Sequence, residues 1–327
     1  MAREGSRLGH LRRIFKVYLT RDKGYLSFWH EHPAVSGGIK NDSIGPYYQT
    51  FEDKAKYTGP RDQNGVILFD YYFDIGQQYN PLAIAQYGLG NFNLYLKTRE
   101  EKYLSEAKLQ AEWLIKNLEE NDKGFWVWKH RFPWHYKKWL KSGWFSAHSQ
   151  GTGISLLVRL YKETSDKRCL ETAQKAFVSL DAEIKNGGVK YIDPESGVWL
   201  EEYLISPPTH ILNGYLWALW GVWDYWLLTK DENAKRLFDD CVKTIKKNIN
   251  LYDCGFWSLY DLSQQALKMV ASHYYHGLHI VQLKATAIIS GEKIFGDYAL
   301  KFEKYRNNFL YRQLSLIYKA VFKILYF

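Results

Sequence analysis

Residues 146–180 read SAHSQGTGISLLVRLYKETSDKRCLETAQKAFVSL, and the fold class follows from the contrast between the two halves. The first half, to Tyr161, is small and apolar on nearly every side of a helical wheel. The second, from Asp166, carries apolar residues on one stripe and charge elsewhere. A helix apolar all round is buried on all sides, whereas a one-sided stripe faces water on its other flank. The same contrast recurs. LAIAQYGLGNFNLYL at 82–96 precedes the charged run at 99–120, and the aromatic segment 209–229 precedes 231–249. Segments 273–290 and 292–308 form a fourth pair. Links of one to four residues make each pair antiparallel neighbours. Inner helices surrounded by protein and outer helices half in water describe concentric rings, a mainly α, (α/α) toroid of helical hairpins.

Between the pairs a second pattern repeats. GFWVW starts at Gly124, GVWLEEY at Gly197 and GFWSLYD at Gly255. Each places glycine, an apolar residue and tryptophan in a β-favouring stretch just before the next pair. The second forms the far arm of a hairpin, with Asp-Pro-Glu-Ser-Gly at 193–197 as its turn. The spacings, 73 and then 58 residues, exclude a solenoid, and the short β segments are expected to gather at one end of the ring. Binding residues commonly sit on such loops over a rigid scaffold. The chain thus divides into an irregular N-terminal arm (1–75, with a strand over 65–74), the toroid (76–308) and an amphipathic C-terminal helix (309–327). That last helix sets Arg312, Ser315, Lys319 and Lys323 on one stripe of an otherwise apolar surface. It suits its own toroid, a second copy of the chain, or a peripheral membrane contact.

Composition narrows the chemistry. Lysine and arginine number 44 against 35 aspartate and glutamate, a net charge of +9. The excess is spread along the chain without a basic run, so it favours an acidic small molecule or polymer over nucleic acid. Thirteen tryptophans and 26 tyrosines offer flat apolar faces with polar edges, which suit sugars. Three cysteines, odd in number and far apart, exclude a disulfide framework and a zinc ribbon. The N-terminal stretch has no apolar run of leader length, and window 211–228 carries Asn213 and Asp224, so it reads as a buried core helix. A cytoplasmic protein, with at most peripheral membrane contact, is the expectation.

GxxxxGK[ST], GxGxxG after a strand, HExxH and GxSxG are all absent from the sequence. His273, His276 and His279 lie at spacings that could share a helix face, but Gly277 interrupts them and no acidic ligand is near, so hydrogen bonding beside a pocket outranks a metal. Neither a metal nor another cofactor is expected. The denser signal is acid with tyrosine at the ring's mouth. Glu201, Glu202 and Tyr203 follow Trp199, Tyr260 and Asp261 follow Trp257, and Tyr274 and Tyr275 open the last inner helix.

These stretches carry a resemblance. SGWFSAHSQGTGISLLVRLY, VWLEEYLISPPTHILNGYLWALWG, LYDCGFWSLYDL and YYHGLHIVQL resemble, in order, the C-terminal catalytic domain of heparan-type D-glucuronyl C5-epimerases. QYNPLAIAQYGLGNFNLY resembles an upstream helix of that family, so the similarity runs from about residue 45 to 308. The resemblance implies an (α/α) toroid acting on D-glucuronic acid within a heparosan- or heparan-like polysaccharide. It implies catalytic roles for Glu202, Tyr203, Tyr260 and Tyr275. One departure is Ser263, three residues after Tyr260, where matched members carry arginine.

Inverting carbon 5 of a uronate removes the proton alpha to a carboxylate and returns one from the opposite face, through an enediolate. Two proton-transfer groups must flank the sugar, and positive groups must meet the enediolate charge. Two of Tyr203, Tyr275 and Glu202 are expected to form the acid–base pair, with Tyr260 orienting the carboxylate. Trp126, Trp199 and Trp257 are expected to line the cleft. Lys129, His130, Arg131, His276 and His279 are candidates for the positive groups, and Gln150 and Asn213 join them as substrate-binding candidates. On a regular strand Glu202 and Tyr203 would point to opposite faces, so either the strand stops at Glu201 or a bulge re-aims one of them. Competing readings are a uronate polysaccharide lyase, an α/α-toroid glycoside hydrolase using Glu202 and Asp261, and a non-catalytic acidic-sugar-binding protein.

Overall fold

Asn80 caps the first long helix by accepting hydrogen bonds from the Leu82 and Ala83 amides, and Arg99 ends it in the left-handed region at φ 60°. That arrangement recurs through the computed structural model, which describes residues 27–71 and 75–326. The first hairpin pairs α1 (Pro81–Thr98) with α2 (Glu101–Lys116), and the second α3 (Ala147–Thr164) with α4 (Lys167–Asp181). The third pairs α5 (Leu212–Thr229) with α6 (Glu232–Asn248), and the fourth α7 (His273–Ser290) with α8 (Lys293–Asn307). The four inner helices are each 18 residues long, and Ser165, Lys230 and Gly291 close the other three as Arg99 closes the first. A left-handed residue returns its N–H to the last turn and releases the chain sideways, which makes such short links workable.

Burial follows the sequence pattern. Nearly all of α5 is buried, including Trp217, Trp220 and Trp223. By contrast, α6 buries Ala234, Leu237, Phe238, Cys241, Val242 and Ile245, a single stripe at helical spacing. Inner helices α3 and α5 meet with backbones in contact. A Cβ on Gly221 would stand 2.3 Å from the Gly151 Cα, so the crossing requires glycine. The protein is an (α/α) toroid with short two-stranded sheets at one end.

Those sheets lie between the helices. β1 (Phe69–Tyr71) pairs with β2 (Gly76–Gln78), β3 (Glu119–Glu120) with β4 (Trp126–Val127), β5 (Trp134–Tyr136) with β6 (Lys138–Leu140), and β7 (Lys190–Ile192) with β8 (Val198–Leu200), all antiparallel. Among the described residues the strand expected over 65–74 is Phe69–Tyr71, and positions 72–74 lie outside them. Residues 1–26, on which the absence of a leader was read, also lie outside them.

The arm reaches across the ring. Its Tyr47 amide donates to Asn93 of α1 at 2.7 Å, the Tyr48 hydroxyl to Asp224 of α5 at 2.6 Å, and Gln49 accepts the Trp217 indole at 3.3 Å. His30 stands edge-on to Tyr274 and Tyr275 of α7. The arm therefore spans from the first inner helix to the last. At the far end from the sheets Arg159 and Asp224 form a fully buried ion pair of 2.5 Å.

The last helix, α9 (Phe309–Tyr326), packs on its own chain. Ser315 and Phe322 are buried, and the Lys319 ammonium donates to the Val270 carbonyl at 2.8 Å. Leu310, Leu314, Ile317, Val321 and Ile324 face outward. Among the described residues no helix is long and apolar enough to cross a membrane.

Candidate active site

The β7–β8 hairpin ends at Leu200, so Glu201, Glu202 and Tyr203 leave strand geometry and the first of the two sequence alternatives holds. Glu201 is spent on structure. Its carboxylate accepts the Thr209 and His210 amides and pairs with the His210 ring at 2.5 Å, closing the 201–210 loop. Glu202 instead lies over Gly214 in the first turn of α5. A Cβ there would fall 2.2 Å from the Glu202 Oε2, so glycine makes the room. Only 4 % of Glu202 is exposed, and its Oε2 is buried without a hydrogen-bond partner. Burial pushes its carboxyl up to about 8, Glu201 and Asp261 add to the rise, and the Tyr203 hydroxyl opposes it. At neutral pH Glu202 therefore holds a proton.

Tyr203 lies face to face on Tyr136, centroids 4.4 Å apart, with Trp144 beside it at 5.6 Å. Tyr260 is positioned through its backbone, its amide donating to Met269 at 2.7 Å and its carbonyl accepting Leu212 at 3.2 Å. Its ring meets Tyr275 edge-on at 4.9 Å and Tyr136 at 6.4 Å. Tyr275 sits in the first turn of α7, where the Ser272 hydroxyl caps its amide at 3.2 Å. Burial raises all three phenols above their ordinary range, and the Glu202 charge adds to each. The phenols rest in the protonated form.

The second wall comes from β5–β6. Lys137 forms the turn at φ 54°. Tyr136 donates its hydroxyl to Asp261, whose carboxylate also pairs with the Lys137 ammonium at 2.7 Å and accepts the Ser263 hydroxyl at 2.7 Å. Asp261 thus ties this hairpin to the segment carrying Tyr260. Burial pulls the Lys137 ammonium below its ordinary range, and Asp261 counters it.

The structure brings Glu202, Tyr203, Tyr260 and Tyr275 into one cluster, and the remaining candidates have the following partners. The Trp199 indole donates to Asp193 at 2.8 Å and its ring stacks on His210. Trp257 donates to the Ala271 carbonyl and stacks on His276 at 3.7 Å. His276 and His279 both bind the Ser258 hydroxyl, and His276 also meets the Phe302 carbonyl. Burial lowers both imidazoles, to about 3 for His279, so neither supplies positive charge. Trp126 lies under the Lys175 ammonium of α4. Gln150 bonds the Trp126 carbonyl, Ser179 and the Trp128 amide. Lys129 and Arg131 pair with Glu119. His130 stacks flat on Trp144 at 3.7 Å, one layer behind Tyr203. Asn213 is buried beside Gly214, its carbonyl accepting Gln282. Among the described residues no three His, Cys, Asp or Glu side chains gather to hold a metal.

Sequence reasoning passed over Tyr136 and Lys137. The signal was present in PWHYKKWLKSGW at 133–144, where aromatics and lysines alternate between a proline and a glycine. It lacks the Gly-apolar-Trp rhyme that drew attention to the other segments.

Comparison with known proteins shows the family. The family described as D-glucuronyl C5-epimerase C-terminus matches residues 119–304, more than half of the chain. A D-glucuronyl C5-epimerase of Caenorhabditis elegans is 33% identical over 217 residues, 62% of this chain. The match spans only 35% of that relative's length. An uncharacterized protein of Methanocaldococcus jannaschii is 26% identical over 80% of this chain and 89% of its own. Among solved structures, a family 76 glycoside hydrolase from a bovine Bacteroides thetaiotaomicron strain superposes with a TM-score of 0.51 at 14% identity. That match covers 74% of this chain and 50% of the other, a likeness of fold. The chain belongs to the D-glucuronyl C5-epimerase C-terminal family.

Proposed function

We propose that this protein inverts carbon 5 of D-glucuronic acid residues within a heparosan- or heparan-like polysaccharide. One observation carries the reading: three phenols and a buried carboxyl gather at one end of the ring, Tyr275 edge-on to Tyr260, and Tyr203, next to Glu202, joined to Tyr260 through the Tyr136 ring. The reaction needs such a set. One group, having first given its own proton to solvent, takes the proton from carbon 5, and the electron pair left behind spreads into the carboxylate as an enediolate. A second group, on the other face, delivers a proton to carbon 5 as the pair returns. Two of Tyr203, Tyr275 and Glu202 act as this pair, and Tyr260 orients the carboxylate. A carboxyl held near pH 8 is a proton donor matched to neutral conditions.

Incubation with heparosan tests the assignment. Epimerisation yields iduronate signals in the proton NMR spectrum, with no rise in ultraviolet absorbance and no new reducing ends. An absorbing product means that the enediolate expels the oxygen at carbon 4 and replaces this reading with a lyase. New reducing ends without absorbance replace it with a hydrolase.

A further inference from the structure

A uronate brings a negative charge into a site already holding a carboxyl and four phenols, and such a charge is costly to bury unless a cation meets it. Lys129 and Arg131 are engaged with Glu119, and His276 and His279 are neutral. Among the described residues, Lys137 is the lysine or arginine that the structure joins to the cluster, through Tyr136 and Asp261.

We infer that Lys137, at the tip of the β5–β6 hairpin, is the residue that binds the carboxylate of the sugar, with Ser263 beside it. This rests on the reading of the substrate as a uronate polymer. The turn fixes the backbone, since a non-glycine residue at φ 54° stays there only where its surroundings impose it. The side chain is 13% exposed, so its ammonium is held in place at the edge of the cluster. Its contacts are the Asp261 carboxylate, the Ser263 hydroxyl and the Gln265 carbonyl oxygen, the last at 3.2 Å. Two of the three are neutral acceptors. A carboxylate brings a full opposite charge to the ammonium, which neither neutral oxygen does, so it displaces one of them while the Asp261 pair persists. Asp261 then serves as a positioning residue, keeping the lysine charged and aimed. When the enediolate forms, negative charge grows on the oxygens Lys137 holds, so the contact strengthens in the transition state.

Binding by calorimetry separates this role from turnover. The ligands are heparosan oligosaccharides and the same oligosaccharides with their carboxyls reduced to alcohols. Wild type is expected to prefer the carboxylate form by about tenfold or more, and Lys137→Met to bind the two forms within about twofold of each other. Lys137→Arg should keep most of the preference. Ser263→Arg in the Lys137→Met background should restore it, because position 263 touches the ammonium in the native protein. If the methionine variant does not fold, Lys137→Gln, which keeps a donor toward Asp261, gives the same comparison. Retention of the wild-type preference in Lys137→Met or Lys137→Gln overturns the inference, as does a wild type with no preference. A wild type that prefers the carboxylate yet forms no iduronate loses the epimerase reading and keeps this one.

Discussion

At Glu202 the chemistry of the site and the stability of the fold pull in opposite directions. Its carboxyl ionises near 4.5 in an ordinary setting and at about 8 in the folded protein, so the folded state holds a proton that the unfolded chain gives up. The associated stability is full below about pH 4.5 and is lost as pH rises to about 8, at a slope of about 1 kcal/mol per pH unit. Glu202→Gln removes the ionisation. Its melting temperature should decline less than that of wild type between pH 5 and 8, while its activity falls by about a hundredfold or more. Equal slopes for the two proteins would show that Glu202 is not buried in its neutral form. At this scale the sequence was legible where residue type and chemistry coincide. Glu202, Tyr203, Tyr260 and Tyr275 do meet, and their roles belong to the proposal. Trp199 and Trp257 look the same as cleft-lining tryptophans in a sequence. Each has its indole N–H satisfied within the protein, by Asp193 and by the Ala271 carbonyl, which spacing does not reveal. Ser263 was legible as a departure, whereas the lysine against it lies 126 positions away in the chain.

Among the elements, the inner helices depend on glycine where their backbones touch. Gly221→Ala forces a methyl against the Gly151 backbone at 2.3 Å, and overpacking of this kind costs about 3 kcal/mol or prevents folding. Gly296 in α8 is the contrast, with the nearest atom to a new Cβ at 3.8 Å. There alanine should stabilise by about 0.5–1 kcal/mol through helix propensity. Urea denaturation of the two variants checks both, and equal effects would contradict the crossing described here. The hairpins were legible because inner and outer helices obey different burial rules. The β5–β6 hairpin was not, since three-residue strands leave too short a period to recognise.

On the scale of the molecule, the ring depends on a buried charge pair and on the arm laid across it. Arg159 and Asp224 are fully buried, and the Tyr48 hydroxyl and Gly45 carbonyl of the arm complete their hydrogen bonds. Removing one partner strands a charge, so Asp224→Leu should cost about 3–5 kcal/mol, whereas Arg159→Met with Asp224→Leu should cost less than the single change. Calorimetric melting of the three proteins tests this, and a double variant worse than the single one would contradict it. The pair lies ten residues along α5 from Gly214, about 15 Å, so the double variant should keep its activity. The arm's part in the ring was not legible, because these contacts reach residues 46 to 245 positions away and leave no local period. The most direct test of the whole account is proton exchange at carbon 5. Heparosan incubated with the protein in heavy water should take up deuterium at carbon 5 of its uronates, seen as loss of that proton signal by NMR, and at least one of Tyr203→Phe and Tyr275→Phe should abolish the uptake while still binding the polymer. A wild type that leaves that proton in place, or tyrosine variants that exchange it at the wild-type rate, would contradict the claim that these phenols converge on that carbon.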